Sequence, residues 1–390
     1  MRRMLVLLMA LALCAAWATP AVGQVKLNPP KAPPPRPAPT LVKTPLTLAE
    51  MTGKQAVIET TLGRIVIDLL PEKAPNHVGY FIKLAREGSY NGTTFHRLVA
   101  RGIIQGGDPL SKDPAKADRY GTGGLRMLAF EPGAGSHVGG AVSSVLLPGN
   151  KDSAGSQFFI CLVPQPVLDG QYTVFGKVVQ GIGIAQLISE TPVDQAGKAT
   201  TRIEMTSVTI RDAPPAGVEP FSTESVAELA QYQAILDTSL GKITIEFLPE
   251  KAPNNVRNFL RLASSGIYDW TAIDRVVPGY IVQTGYLGSK RIPMDEGQKA
   301  LRRNVPKELN DTTHEKGVVS MPAVDNPDDP STSFFIATAG ASSLDRTCTA
   351  FGKLVDGLNV VDAIEQAPRE GEAPKPRIDV RSIRVVKKGQ

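Results

Sequence analysis

Two stretches of the chain alternate apolar and polar residues about a Leu-Gly pair. Val57, Glu59, Ile65 and Ile67 flank Gly63, and Ile235, Asp237, Ile243 and Ile245 flank Gly241. Period-two alternation interrupted by a glycine turn predicts a β-hairpin at each place. After each hairpin the period lengthens to that of a helix. Val78, Phe81, Ile82 and Ala85 form one apolar stripe, and Val256, Phe259, Leu260 and Ala263 form another. Pro75 and Pro253 stand just inside the starts, and Gly88 and Gly266 stand past the ends. Short strands and glycine-rich turns follow, and further helices are predicted near Gly181–Ser189 and Gly357–Gln366. Such a pattern, mainly β with two helices per unit, suits a closed sheet in each unit with helices capping its ends.

The pattern is doubled because the sequence is doubled. Pro71-Glu72-Lys73-Ala74-Pro75-Asn76 recurs 178 residues later as Pro249-Glu250-Lys251-Ala252-Pro253-Asn254. Phe158-Phe159-Ile160 and Phe175-Gly176-Lys177 recur 176 residues later, so the copies differ by small indels. A period this long marks whole domains rather than a solenoid. The units are expected at 54–212 and 232–388, with a linker over 213–231 that carries a short helix near Thr223–Ala230.

Ahead of them, residues 1–23 have the make-up of a secretory signal. Arg2 and Arg3 precede the uncharged run Met4–Trp17, and Ala21-Val22-Gly23 supplies small residues for cleavage. Residues 24–53 are proline-rich at first and are expected to form an extended tether. The expected destination is outside the cytoplasm, with the periplasm ahead of full secretion. No later apolar run is long enough to span a bilayer, so stable membrane insertion is not expected once the signal is removed.

Composition narrows the chemistry. A net charge of +5 without basic clusters gives no nucleic-acid footprint. Beyond the signal only Cys161 and Cys348 remain, one per unit, and both are expected as free thiols. His77, His96, His137 and His314 show no metal-ligand spacing, and there is no dinucleotide or phosphate-loop glycine signature, so no cofactor is expected. His137 and His314 precede glycine-rich strand starts and read as structural.

One doubled feature does carry chemistry. Arg97 and Gln105 lie eight residues apart, as do Arg275 and Gln283. A lone strand arginine ordinarily pairs with a surface carboxylate. Two arginine–glutamine pairs at equal spacing, without a nucleophile, instead fit a reaction in which a bond rotates and none breaks. A guanidinium is a rigid donor fork that keeps its charge.

Both units resemble the cyclophilins, peptidyl-prolyl cis-trans isomerases. The resemblance rests on Phe95-His96-Arg97, Gln105-Gly106-Gly107-Asp108, Gly155-Ser156-Gln157-Phe158-Phe159-Ile160 and Leu168-Asp169-Gly170-Gln171-Tyr172-Thr173-Val174-Phe175-Gly176-Lys177. It implies a mainly β fold of two tandem eight-stranded closed β-barrels, each capped by two α-helices. It implies a substrate groove on the outer barrel face, with Arg97 and Gln105, and by repetition Arg275 and Gln283, as catalytic residues. It implies that Gln105 holds the arginine and the substrate backbone. Ile103, Phe159 and Leu168 would line a proline pocket, with Tyr172 where many members carry histidine, and with Gln157 and His96 on the substrate. Tyr280, Ile281, Phe335 and Leu344 are the second unit's counterparts. Partners implied are proline-containing polypeptides and cyclosporin-like ligands. Departures are Gly102 in place of an aromatic residue, Ser144-Val145-Leu146 in a backbone-binding stretch, and Asp274, Ser333 and Cys348 in the second unit. The expected function is proline isomerisation assisting the folding of exported proteins. The rival is a tandem proline-peptide binder or holdase with little turnover, above all in the second unit.

Overall fold

The computed structural model describes residues 41–132, 135–215, 217–322 and 331–389. The expected signal and the proline-rich run up to residue 40 lie outside the described residues. Packing begins before the first hairpin. Thr47 and Glu50 cap each other around the short helix α1 (Leu48–Met51), and Met51 is fully buried in the first core.

The first unit contains β1 (Lys54–Thr60), β2 (Gly63–Leu69), α2 (Pro75–Arg86), β3 (Phe95–Val99), β4 (Ile103–Gly106), β5 (Ala141–Ser144), β6 (Phe158–Cys161), β7 (Val174–Gln180), α3 (Ile182–Ser189) and β8 (Met205–Asp212). Its eight strands run in the order β3-β4-β6-β5-β7-β2-β1-β8. The two outer strands meet through short-range bonds, Phe95 N–H to Ile203 O at 3.0 Å and Met205 N–H to Thr93 O at 2.8 Å. The linker carries α4 (Val226–Leu229), whose Ser225 and Glu228 form a capping box.

The second unit contains β9 (Tyr232–Thr238), β10 (Gly241–Phe247), α5 (Pro253–Ser264), β11 (Thr271–Val277), β12 (Ile281–Thr284), α6 (Glu296–Ala300), β13 (Val318–Met321), β14 (Phe334–Ala337), β15 (Thr349–Asp356), α7 (Leu358–Gln366), β16 (Arg369–Glu370), β17 (Ala373–Pro374) and β18 (Asp379–Lys387). Eight of its strands close as β10-β15-β13-β14-β12-β11-β18-β9.

Local chemistry explains the caps. Ala74 and Ala252 cannot cap α2 and α5 with a side chain, and proline at the first turn has no N–H to satisfy. Glu131 and Glu308 bind the open helix ends instead: Glu131 accepts from Asn76 and His77 N–H at 3.0 Å, and Glu308 from Asn254 and Asn255 N–H at 3.1 and 2.8 Å. A carboxylate there also complements the helix dipole. Gly181 and Gly357 precede α3 and α7 with φ of 83° and 89°. At Gly181 a Cβ would lie 2.1 Å from Arg64 O, so the turn admits no side chain.

Each barrel has its own core, one around Phe81, Phe95 and Phe158 and the other around Phe259, Phe334 and Phe351. The barrels also share buried surface. Trp270 and Ile292, from the second unit, belong to the first core, and Trp270 Nε1–H donates to Leu62 O at 2.8 Å. Gln180 donates to Ser264 O at 3.1 Å, and Arg384 pairs with Glu59 at 3.5 Å.

Candidate functional site

Simple alternation along β3 would put Phe95 and Arg97 on one face and so bury the cation. A bulge prevents this. Phe95 lies opposite Gly106 and Arg97 opposite Gln105, so two steps on β3 match one on β4 and His96 is the extra residue. Phe95 and Leu98 therefore both enter the core while Arg97 is exposed on the outer face. The same bulge recurs at Asp274, between Ile273 opposite Thr284 and Arg275 opposite Gln283.

From Arg97 a row of residues crosses the outer wall. Gln105 lies opposite Arg97, Phe159 opposite Gln105, and Ser143 opposite Phe159. Directly opposed residues share a face of the sheet. Arg97 and Phe159 thus stand on one side of the wall, one strand apart. Around Phe159 lies an apolar cluster separate from the barrel core, made with Ala141, Cys161 and Val174 and joined by Leu70, Ile103, Val145, Leu168 and Tyr172. Tyr172 meets the Phe159 ring edge-on, with centroids 5.5 Å apart. Burial first, and the Asp169 charge second, push the Cys161 thiol up to about 11.

The carboxylate that ordinarily pairs with a strand arginine is absent at Arg97 among the described residues: its guanidinium makes no hydrogen bond or ion pair there. Nor does Gln105 hold it. The Gln105 carboxamide donates to Gln157 Oε1 at 3.0 Å, and Gln157 donates to Gly123 O at 2.7 Å. The carboxamides form a relay toward the loop, which leaves the guanidinium open to a ligand. His96 lies outside the apolar cluster. It is 4 % exposed, lies edge-on to Tyr120 at 6.2 Å, and is held below the usual histidine range chiefly by burial.

Beneath the cluster lies a network that sequence reading did not assemble. His137 Nδ1 meets Asp169 Oδ1 at 2.9 Å, and its Nε2 meets Ser143 Oγ at 2.9 Å. A carboxylate only accepts, so Nδ1 carries the proton, and in the neutral imidazole Nε2 accepts from Ser143. The atom order is that of a hydrolase triad, but Ser143 is 0 % exposed and His137 1 % exposed. The hydroxyl cannot meet a substrate. The imidazole instead stacks on Phe159 at 6.0 Å with a 9° interplanar angle and fixes that ring. His314, Asp345 and Ser320 repeat the arrangement beneath Phe335, at 2.9 and 2.8 Å. The signal was present: in both units the serine follows the histidine by six residues.

The second site shares this row but not its state. Arg275, Gln283, Phe335 and Ser320 lie opposite one another in turn. Ile281, Phe335 and Cys348 cluster with Val277, Tyr280 and Leu344, so the four expected pocket residues do come together. Gln283 makes no side-chain hydrogen bond among the described residues. Arg275 is paired: Nε lies 2.6 Å from Glu372 Oε2, and Nη2 lies 3.3 Å from Oε1. Their hydrogen bond holds Arg275 above and Glu372 below its ordinary range.

The model of the family "Cyclophilin type peptidyl-prolyl cis-trans isomerase/CLD" matches residues 56–210 and 234–385. A Neurospora crassa "Peptidyl-prolyl cis-trans isomerase-like 1" is 36% identical over 152 residues, which is 38% of this chain and 88% of the relative. A Helicobacter pylori "Peptidyl-prolyl cis-trans isomerase" is 40% identical over 139 residues, 34% of this chain and 77% of the relative. Among solved structures, a Cryptosporidium parvum cyclophilin type peptidyl-prolyl cis-trans isomerase, determined in the presence of the dipeptide Ala-Pro, is 27% identical. The match covers 40% of this chain and 99% of that one, with a TM-score of 0.37.

Proposed function

The chain belongs to the cyclophilin-type peptidyl-prolyl cis-trans isomerases, and from that premise we propose that its first unit turns Xaa-Pro bonds on the outer barrel wall with Arg97 as the catalytic donor. An amide resists rotation by about 18–20 kcal/mol because its nitrogen lone pair is conjugated with the carbonyl. In the twisted state that lone pair is free to accept a hydrogen bond. A guanidinium donor stronger in that state than in the planar one lowers the barrier. The proline ring sits on Phe159, Ile103, Leu168 and Tyr172, and the Gln105–Gln157 pair meets the peptide backbone upstream. His96 supports the wall from behind rather than touching the peptide. The observation that carries this reading is the exposed, unpaired Arg97 on the same face as the Phe159 cluster.

Proline-containing polypeptides are the substrates on this reading, and cyclosporin-like macrocycles would compete for the same slot. The charged start, apolar run and small residues of 1–23 support export, with folding clients in the periplasm or, if the chain is secreted, beyond it. A second reading holds for the second unit. Its Arg275 is engaged by Glu372, which favours peptide binding through Tyr280, Ile281, Phe335 and Leu344 with slow turnover by Arg275 and Gln283.

The test is isomerisation of an Xaa-Pro peptide by the wild type, Arg97→Ala, Arg275→Ala and the double variant. The wild type is expected to exceed the spontaneous rate and Arg97→Ala to lose most of that excess. A wild type no faster than the uncatalysed peptide leaves only the binding module.

A further inference from the structure

We propose that Glu372 is a brake on the second site: its carboxylate occupies the guanidinium that isomerisation requires, and removing it releases latent activity. This rests on the reading above that an open guanidinium is the donor. Two of the Arg275 donors face Glu372, at 2.6 and 3.3 Å. A guanidinium already bound to an anion offers a prolyl nitrogen fewer donors and a weaker field.

The placement of Glu372 is built into the backbone. β16 and β17 pair Glu370 with Ala373, so Gly371 and Glu372 form a two-residue turn. Glu372 O then accepts Val276 N–H, next to Arg275, at 2.7 Å. In the first unit the equivalent bond runs from Leu98 N–H, next to Arg97, to Gly197 O at 2.9 Å. Glycine brings no carboxylate to that slot, and the residue after it is Lys198, whose Nζ reaches Ala117 O at 3.3 Å. One unit thus brings no carboxylate to its arginine at this turn, and the other neutralises its own. The Arg275 and Glu372 side chains are 42% and 55% exposed, so the pair is screened by water and reversible rather than a permanent lock. A solvent-exposed pair of this kind weakens with salt.

The experiment uses the full chain carrying Arg97→Ala, which leaves the second site as the remaining source of turnover. Adding Glu372→Ala is expected to raise Xaa-Pro isomerisation roughly two- to fivefold, the upper span of an exposed ion pair. Adding Arg275→Ala as well should abolish the gain. In the Arg97→Ala protein with Glu372 intact, raising salt from about 0.05 to about 0.5 M should increase turnover, and in its Glu372→Ala derivative it should not. The salt response with Glu372 intact is read without any change at Glu372 and so does not depend on how that variant folds. No gain from either arm, or a gain that survives Arg275→Ala, overturns the brake while an active wild type leaves the first-site reading intact. An inactive wild type overturns the reading on which the brake rests.

Discussion

Asp269 lies at the contact between the barrels and is 7% exposed. It borders a small cleft of about 20 Å³, along with Arg64, Gln180 and Lys290. Lys290 Nζ donates to Ile267 O and Asp269 O at 2.7 and 2.6 Å, and burial brings its own pKa down to about 8. Burial outweighs the Lys290 and Arg64 charges and raises the Asp269 carboxyl from 3.8 to about 7. Between those values the folded chain holds a proton that the unfolded chain has lost. Stability therefore falls as pH rises, by about 1.4 kcal/mol per pH unit at most. From about pH 5 to about pH 7 the loss integrates to about 2 kcal/mol. His96, depressed by burial, gives a slope of opposite sign, so the quantity to read is the difference between wild type and Asp269→Asn. The chain has two tryptophans, and one of them, Trp17, falls in the expected signal. Urea unfolding of protein lacking residues 1–23, followed by fluorescence, thus reports Trp270 at the contact itself. Asp269→Asn is expected to gain about 2 kcal/mol on the wild type between about pH 5 and about pH 7. A difference independent of pH refutes the reasoning.

Two further substitutions test packing and pocket. Trp270→Ala removes a side chain from the first core and its bond to Leu62 O. It should cost about 3–5 kcal/mol and split one thermal transition into two, as read by calorimetry. Phe159→Leu keeps an apolar side chain but loses the Tyr172 edge contact and the His137 stack. At about 0.5–1.5 kcal/mol for aromatic pairing, KM for an Xaa-Pro peptide should rise severalfold with little change in kcat.

Much of the architecture can be read from residues near one another in the chain. The hairpins about Gly63 and Gly241, the helices behind Pro75 and Pro253, and the helix starts at Gly181 and Gly357 all follow from local periodicity and turn chemistry. The doubled Arg–Gln spacing marks the candidate site because paired strands bring those residues face to face. The outward aim of Arg97 is another matter: strict alternation gives the wrong face, and only the bulge at His96 corrects it. The difference between the two arginines was hidden as well. Glu372 lies 97 residues from Arg275, and a turn one residue shorter than its counterpart brings its carboxylate into place. Sharing of the first core by Trp270 was equally illegible, because periodicity within one unit says nothing of what lies against it.

The central claim is that Arg97 stabilises the twisted amide rather than the bound peptide. Its most direct test is exchange NMR on an Xaa-Pro peptide with wild type and with Arg97→Ala, measuring cis-trans interconversion and peptide affinity in the same samples. A hydrogen bond to a charged donor is worth about 1.5–3 kcal/mol, so interconversion on the Arg97→Ala protein should slow by roughly ten- to a hundredfold. Affinity should change by less than about threefold, since the ring still seats on Phe159. Exchange that stays at the wild-type rate, or that falls only in proportion to lost binding, contradicts the account.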